Sequence, residues 1–89
     1  MIRVSFTENL QRHVSCDTQM VSGQTVRLAL DAVFVGCEQV RGYVLDEHGA
    51  LRKHMNVFVN GNPIADRETL SDQLRDNDEV FVMQALSGG

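Results

Sequence analysis

Residues 25–34 read TVRLALDAVF, and this stretch decides the architecture of the chain. Its apolar side chains recur at i, i+3, i+4, i+7 and i+8 and so share one helical face: Val26, Ala29, Leu30, Val33 and Phe34. The Thr25 hydroxyl can accept a hydrogen bond from a first-turn amide, which is the role of a helix N-cap. The pattern predicts an amphipathic helix that begins after Thr25 and ends near Gly36.

Two extended segments precede this helix. Residues 2–7 alternate apolar and polar side chains, which is the period of a half-buried strand. Residues 14–22 have a poorer pattern but can return antiparallel to the first segment, so an N-terminal hairpin is predicted. After the helix, residues 37–45 are ambiguous between a short helix and irregular chain.

Three further strands are predicted after the helix. Residues 55–59 alternate in polarity, and Asn60-Gly61 is a strong tight-turn dipeptide because both residues tolerate positive φ. A very short strand at 63–65 should therefore fold back on residues 55–59. Residues 79–86 form the last strand.

One short helical turn is predicted between the last two strands, at residues 70–74. Thr69 and Asp72 resemble a capping pair for it. The complete order is ββαββ, a helical turn and a final strand. Because a sheet that carries one amphipathic helix must bury the apolar stripe of that helix, the expected fold is a two-layer α+β domain.

Length and charge bound the possible functions. Eighty-nine residues suffice for one domain, and 12 acidic against 8 basic residues give a net charge of −4. A large multi-step enzyme needs more chain, and an acidic chain is poorly suited to bind nucleic acid. The N-terminal pattern is not that of a signal peptide, and no apolar run approaches the ~18 residues of a membrane span. A cytoplasmic protein with no nucleic-acid or membrane partner is therefore expected.

The reactive side chains form no recognisable constellation. Cys16 and Cys37 lack CxxC spacing, and two reduced thiols are the expected state. His48 and His54 do not complete a tetrahedral ligand set, so no metal site is predicted. Neither GxGxxG nor GxxxxGK occurs, so no phosphate loop is predicted.

The far face of the predicted sheet carries large apolar side chains. In the expected register Phe58 points outward from the third strand, and Phe81 and Met83 point outward from the last. If these strands are neighbours, the three residues form an exposed apolar patch of the kind that often marks a protein partner. The alternative is that they are scattered or covered by a loop.

The sequence closes with ALSGG at residues 85–89, immediately after the last strand. A Gly-Gly pair at a given place has a random frequency of ~0.5% at average glycine usage. Because glycine lacks a Cβ, such a tail can thread into a narrow active site of another protein. The Gly89 carboxylate would then react there, once a partner has used ATP to convert it to an acyl adenylate. An incidental floppy end is the alternative.

Four pieces of the chain together resemble the ubiquitin-like β-grasp sulfur carriers. This family includes the small subunit of molybdopterin synthase, the thiamin sulfur carrier and the cysteine-synthesis carriers. The resemblance covers essentially the whole chain, and the pieces that carry it lie in its second half: NVFVNG at 56–61, Leu70 with Leu74, DNDEV at 76–80 and ALSGG at 85–89. The resemblance implies a mixed sheet of about five strands packed on one main helix. Residues 1–86 would form the domain and residues 87–89 a flexible tail.

The resemblance also implies a function. An E1-like enzyme would adenylate Gly89 with ATP, the adenylate would become a thiocarboxylate, and a downstream enzyme would accept the sulfur. Gly88 and Ser87 would thread into the partner sites, and the carrier itself would be neither an enzyme nor the holder of a cofactor. Three apolar residues would dock the partners: Phe58, Phe81 and Met83. Residues 51–60 look more like carriers that feed cysteine or a related thio-metabolite than like the molybdopterin subunit.

Two other functions use the same sequence features. A ubiquitin-like modifier would be joined through Gly89 to lysine amines of other proteins, and both functions need the glycines. A noncatalytic binding domain would have an incidental glycine end. It predicts that deletion of Gly88 and Gly89 leaves activity intact.

Overall fold

The computed structural model describes residues 1–7, 10 and 16–84. In chain order, its helices and strands are β1 (Ile2–Phe6), β2 (Gln19–Val21), α1 (Val26–Gly36), α2 (Glu38–Val44), β3 (Met55–Val59), β4 (Asn62–Pro63) and β5 (Glu79–Gln84). Across the described residues these strands form a five-stranded sheet in the order β2-β1-β5-β3-β4. The predicted α+β fold, a mixed sheet with one main helix, is confirmed.

The first and last strands lie side by side at the centre of the sheet. β1 runs parallel to β5, with Val4 opposite Val80 and Phe6 opposite Val82. The remaining neighbours are antiparallel: β2 with β1, β3 with β5, and β4 with β3. A parallel pair needs a long crossover connection, and α1 lies within that connection.

Helix α1 follows the sequence pattern closely. The Leu28 amide donates to the Thr25 hydroxyl at 3.2 Å, which confirms the predicted N-cap. The amides of Val26 and Arg27 donate to the carbonyl oxygens of Asp72 and Leu70, at 3.0 and 2.9 Å. All members of the predicted stripe are buried: Val26, Ala29, Leu30, Val33 and Phe34.

The core lies between this stripe and the inner face of the sheet. The inward residues of the central strands β1 and β5 are at most 5% exposed: Ile2, Val4, Phe6, Val80 and Val82. The ambiguous segment 37–45 contains a second helix, α2, because Val40 and Val44 lie four residues apart and are both buried. The core thus extends under both helices.

Several strands differ from their predicted bounds. β1 ends at Phe6, one residue before the end of the predicted segment 2–7. β5 covers Glu79–Gln84, and residues 85 and 86 of the predicted 79–86 lie outside the described part. The prediction for 14–22 places a long second strand, whereas β2 covers Gln19–Val21 and residues 14 and 15 lie outside the described part. Cys16 is buried while the next two residues are exposed, so polarity does not alternate before β2. β4 begins at Asn62, one residue before the predicted 63–65. Asn60 and Gly61, at φ of 50° and 85°, form a two-residue turn that pairs Val59 with Asn62 at once.

The helical turn predicted at 70–74 is wrong, because the chain there is irregular. Leu70 adopts a left-handed backbone, with φ of 55°, and its side chain is completely buried. A left-handed residue cannot continue a right-handed helical turn. Burial of the Leu70 side chain therefore overrides the local helical pattern.

Two carboxylates hold this loop, and neither forms the predicted Thr69–Asp72 capping pair. Asp72 accepts hydrogen bonds from the amides of Ala65 and Asp66, both at 2.9 Å. Asp66 accepts from the Thr69 amide at 3.0 Å and from the Ser71 hydroxyl at 2.5 Å. Asp66 thus forms the side-chain-to-backbone turn that the sequence pattern assigned to a helix cap.

The Asp66 carboxylate makes the stability of the fold depend on pH, with stability lost at low pH. Hydrogen bonds from Ser71 and Thr69 hold the pKa of Asp66 well below its usual range. A carboxyl with a lowered folded-state pKa contributes stability that is present above its unfolded pKa of about 3.9 and is lost as pH falls through the folded value. We expect the melting temperature of Asp66→Asn to fall less between pH 5 and pH 2 than that of the unchanged protein.

The measurement is a series of thermal melts followed by circular dichroism across that pH range. Asp31→Asn, at an exposed position of α1, is the matched control and should keep the original slope. Hydrogen bonds also lower the pKa of Asp46 and Asp78, so part of the acid sensitivity should persist in Asp66→Asn. Identical slopes for Asp66→Asn and the unchanged protein would contradict the assignment.

Candidate functional site

The outer face of the sheet brings the three predicted docking residues together. Strands β3 and β5 are adjacent and antiparallel, with Phe58 opposite Phe81 and Asn56 opposite Met83. Val57 and Val82, the next residues along each strand, are buried in the core. Because side chains alternate across a strand, Phe58, Phe81 and Met83 lie on the opposite, outward face. β3 and β5 are therefore neighbours, as the predicted apolar patch requires.

These side chains are accessible to a partner. Phe81 is 39% exposed, whereas its strand neighbours Val80 and Val82 are 0% exposed. Phe58 and Met83 are half-buried. Phe58 and Phe81 are directly opposed on adjacent strands, the arrangement in which aromatic side chains form cross-strand pairs.

The patch extends across the sheet on both sides of the phenylalanines. Pro63 of β4 is paired with Phe58, and Ser5 of β1 is paired with Phe81, so all four share one row. Pro63 is exposed and adds apolar surface that the alternation pattern of the strands does not mark. The Asn60-Gly61 turn could have indicated it, because a two-residue turn fixes which residues face each other. We call Phe58, Phe81, Met83 and Pro63 the docking face.

Polar groups border the docking face at both ends of the strands. Arg3 and Glu79 form an exposed ion pair at 3.9 Å, beside the start of β5. At the other end, Arg67 donates to the Asn56 side-chain oxygen at 3.3 Å and to the Met55 carbonyl oxygen at 2.7 Å. An exposed ion pair adds little stability. The Arg67 hydrogen bond, in contrast, holds the side chain of Asn56, which lies opposite Met83. No sequence pattern marked Arg67, because its partners are distant along the chain.

The other predicted site residues follow the strand that carries this face. β5 ends at Gln84, directly after Met83. Ser87, Gly88 and Gly89 lie outside the described residues. The central strand of the sheet therefore connects the docking face directly to the sequence that contains the two terminal glycines.

The remaining candidates from the sequence occupy separate places. His48 lies in an exposed turn beside Glu47, at 3.6 Å. Within residues 1–7, 10 and 16–84, no group of three or more His, Cys, Asp or Glu side chains is arranged to hold a metal ion. In the same part of the chain no helix has the length and apolar character needed to cross a membrane. Cys16 and Cys37 are free thiols that the fold brings near each other.

Comparison with known families decides the classification. The ThiS family pattern matches residues 8–89, which is most of the chain and includes the Gly-Gly end. The chain belongs to the ThiS family. No curated protein sequence matches this ThiS-family chain.

Solved structures agree with the classification. A chain of the Amycolatopsis orientalis BexX/CysO complex is similar with a TM-score of 0.84 and 23% identity, covering 100% of both chains. SAMP1 from Haloferax volcanii is similar with a TM-score of 0.79 and 27% identity, covering 99% of this chain and 98% of that one. CysO from Mycobacterium tuberculosis is similar with a TM-score of 0.80 and 20% identity, covering 97% and 100%.

The fold and the family together place this ThiS-family chain among the ubiquitin-like β-grasp sulfur carriers. The family match and the similarity to SAMP1 support a function as either a sulfur carrier or a ubiquitin-like modifier.

Proposed function

We propose that the protein is a sulfur carrier and that its chemistry occurs at the Gly89 carboxylate. The observation that carries the proposal is the ThiS-family match over residues 8–89, which includes the glycine pair. The position of that pair after β5, the strand that carries Phe81 and Met83, supports it further. A partner that grips the docking face would thereby have the tail within reach.

The proposed reaction has two steps at the Gly89 carboxylate, the first at the phosphorus of ATP and the second at the carbonyl carbon. A carboxylate oxygen of Gly89 attacks the α-phosphate of ATP in an E1-like enzyme, pyrophosphate leaves, and an acyl adenylate forms. A sulfide equivalent then attacks the acyl carbon and AMP leaves, which produces a thiocarboxylate. ATP binds the activating enzyme, and the carrier holds no cofactor. Gly88 and Ser87 let the chain enter the narrow site because they are small.

A downstream enzyme completes the cycle. The thiocarboxylate sulfur displaces a leaving group from an electrophilic carbon of the substrate there, and hydrolysis of the resulting acyl–sulfur bond releases the thiol product and returns the Gly89 carboxylate. We favour cysteine or a related thio-metabolite as the product, with molybdopterin next, on the pattern of residues 51–60. The cycle would run in the cytoplasm, where ATP is available to the activating enzyme.

A ubiquitin-like modifier is the second candidate. The observation that favours it is the similarity to SAMP1, a small archaeal modifier protein, at 27% identity over nearly the whole chain. In this case the activated Gly89 would be attacked by a lysine amine of another protein. The sequence has one lysine of its own, Lys53, so attachment of one copy to another through a lysine would have a single acceptor.

Intact-mass measurement separates the two candidates. The protein is incubated with its cognate activating enzyme, ATP and a sulfide source. Replacement of one oxygen by one sulfur, localised to Gly89 by fragmentation, is the expected result. Lysine-linked adducts without any thiocarboxylate would overturn the carrier in favour of the modifier. An omission of ATP is the control and should leave the mass unchanged.

A further inference from the structure

Two cysteine sulfurs that are distant in sequence meet around one amide nitrogen. Gln19 Nε2 donates to Cys16 Sγ at 3.5 Å and to Cys37 Sγ at 3.3 Å. Cys16 precedes the edge strand β2, and Cys37 lies at the junction between α1 and α2. The fold therefore holds the two thiols close together across the boundary between its sheet layer and its helix layer.

We propose that Cys16 and Cys37 are a modification site, a dithiol that a small disulfide oxidant converts reversibly into an intramolecular disulfide. The proposal rests on the shared Gln19 contact, which holds the two sulfurs near each other, and on the difference in exposure between a buried Cys16 and a half-buried Cys37. It is independent of the function proposed for Gly89. The bond would tie the start of β2 to the end of α1.

The two thiols differ in a way that sets the order of reaction. Cys16 is 3% exposed, whereas Cys37 is half-buried and can be reached from solvent. Burial, followed by the hydrogen bond with Cys37 and its charge, raises the pKa of Cys16 to about 12. The thiolate is the attacking form in disulfide exchange. Cys37 therefore reacts first, and Cys16 resolves the product.

The chemistry balances with oxidised glutathione as the oxidant. The Cys37 thiolate attacks one sulfur of glutathione disulfide, and one glutathione thiolate leaves. Cys16 loses its proton to that thiolate or to solvent and attacks the Cys37 sulfur of the mixed disulfide, and the second glutathione leaves. In total the two cysteines lose two electrons and two protons, and two molecules of reduced glutathione form. Closure brings the sulfurs to about 2.05 Å and releases the Gln19 amide from both.

The test equilibrates the whole protein in buffers with increasing ratios of oxidised to reduced glutathione. The samples are quenched with acid and unfolded in denaturant, free thiols are trapped there with a maleimide so that the buried Cys16 is also counted, and intact mass counts the adducts. Both thiols are expected to become unreactive together, and a non-reducing digest should contain one peptide pair joined through Cys16 and Cys37. Because the crosslink constrains the unfolded chain, the oxidised form should melt roughly 10 °C higher, and a reductant should reverse the shift.

Single substitutions distinguish this site from general thiol reactivity. Cys16→Ser should accumulate a mixed disulfide with glutathione at Cys37, because no resolving thiol remains. Cys37→Ser should leave Cys16 unmodified. The proposal fails if the unchanged protein keeps two reactive thiols at every ratio, stops at the mixed disulfide, or forms only disulfide-linked dimers.

Discussion

Deletion of Gly89 is expected to abolish thiocarboxylate formation and to leave the stability of the domain unchanged. The deletion moves the reacting carboxylate back by one residue, or about 3.5 Å of extended chain. A displacement of that size takes the carbonyl carbon out of attacking distance in a site that depends on near-contact geometry. The product should fall to the background of the reaction without ATP.

Thermal melting supplies the structural half of this experiment. The described elements end at Gln84, and residues after the last strand contribute little to stability unless they pack on the domain. The melting temperature should therefore stay within about 1 °C of the original value. Ser87→Ala is the matched control, because it keeps the chain length and a small side chain. Its thiocarboxylate yield should be close to that of the unchanged protein.

Two results would contradict this picture. Normal yield after deletion of Gly89 would place the chemistry at another group and would revive the binding domain with an incidental glycine end. A fall of several degrees in melting temperature would show that the tail packs against the domain. Each result can be observed without the other, so the role of the carboxylate and the freedom of the tail are tested separately.

Local patterns account for the parts of the fold that the sequence predicted. The stripe on α1 and the Thr25 cap depend on side chains within three or four residues of each other, and both are present as predicted. The Asn60-Gly61 turn is equally local and places β4 against β3. The outward positions of Phe58 and Phe81 follow from strand alternation, once β3 and β5 are neighbours.

Distant contacts account for what the sequence did not predict. Leu70 leaves helical geometry because its side chain fills the core. The pairing of Cys16 with Cys37 depends on where β2 lies against the end of α1. Neither feature has a signature in the spacing of residues along the chain. Such contacts become apparent only when the layers are assembled.

The phenylalanine at the centre of the docking face provides the second large prediction. Phe81→Ala is expected to weaken binding to the activating enzyme about 30-fold, which corresponds to about 2 kcal/mol. An aromatic side chain at the centre of an interface loses its contact area when truncated, and here it also loses its cross-strand partner Phe58. The dissociation constant is measured by calorimetry with the folded variant.

The neighbouring residue on the same strand is the control for stability. Val82 is 0% exposed and faces the core, so Val82→Ala should cost about 2 kcal/mol of unfolding free energy through lost contacts and a residual cavity. Phe81 is 39% exposed, and its truncation should cost less than about 1 kcal/mol. The two substitutions on adjacent residues should thus have opposite profiles, one affecting binding and the other affecting folding.

Phe58→Ala, alone and combined with Phe81→Ala, tests whether the two rings act together in binding. If both rings contact the same partner surface and support each other, the double substitution should weaken binding by less than the sum of the two single effects in free energy. A sum that is fully additive would mean that the rings bind independently. If Phe81→Ala instead costs ~3 kcal/mol or more in folding and leaves binding unchanged, the residue belongs to the core and the outer face is not where partners dock.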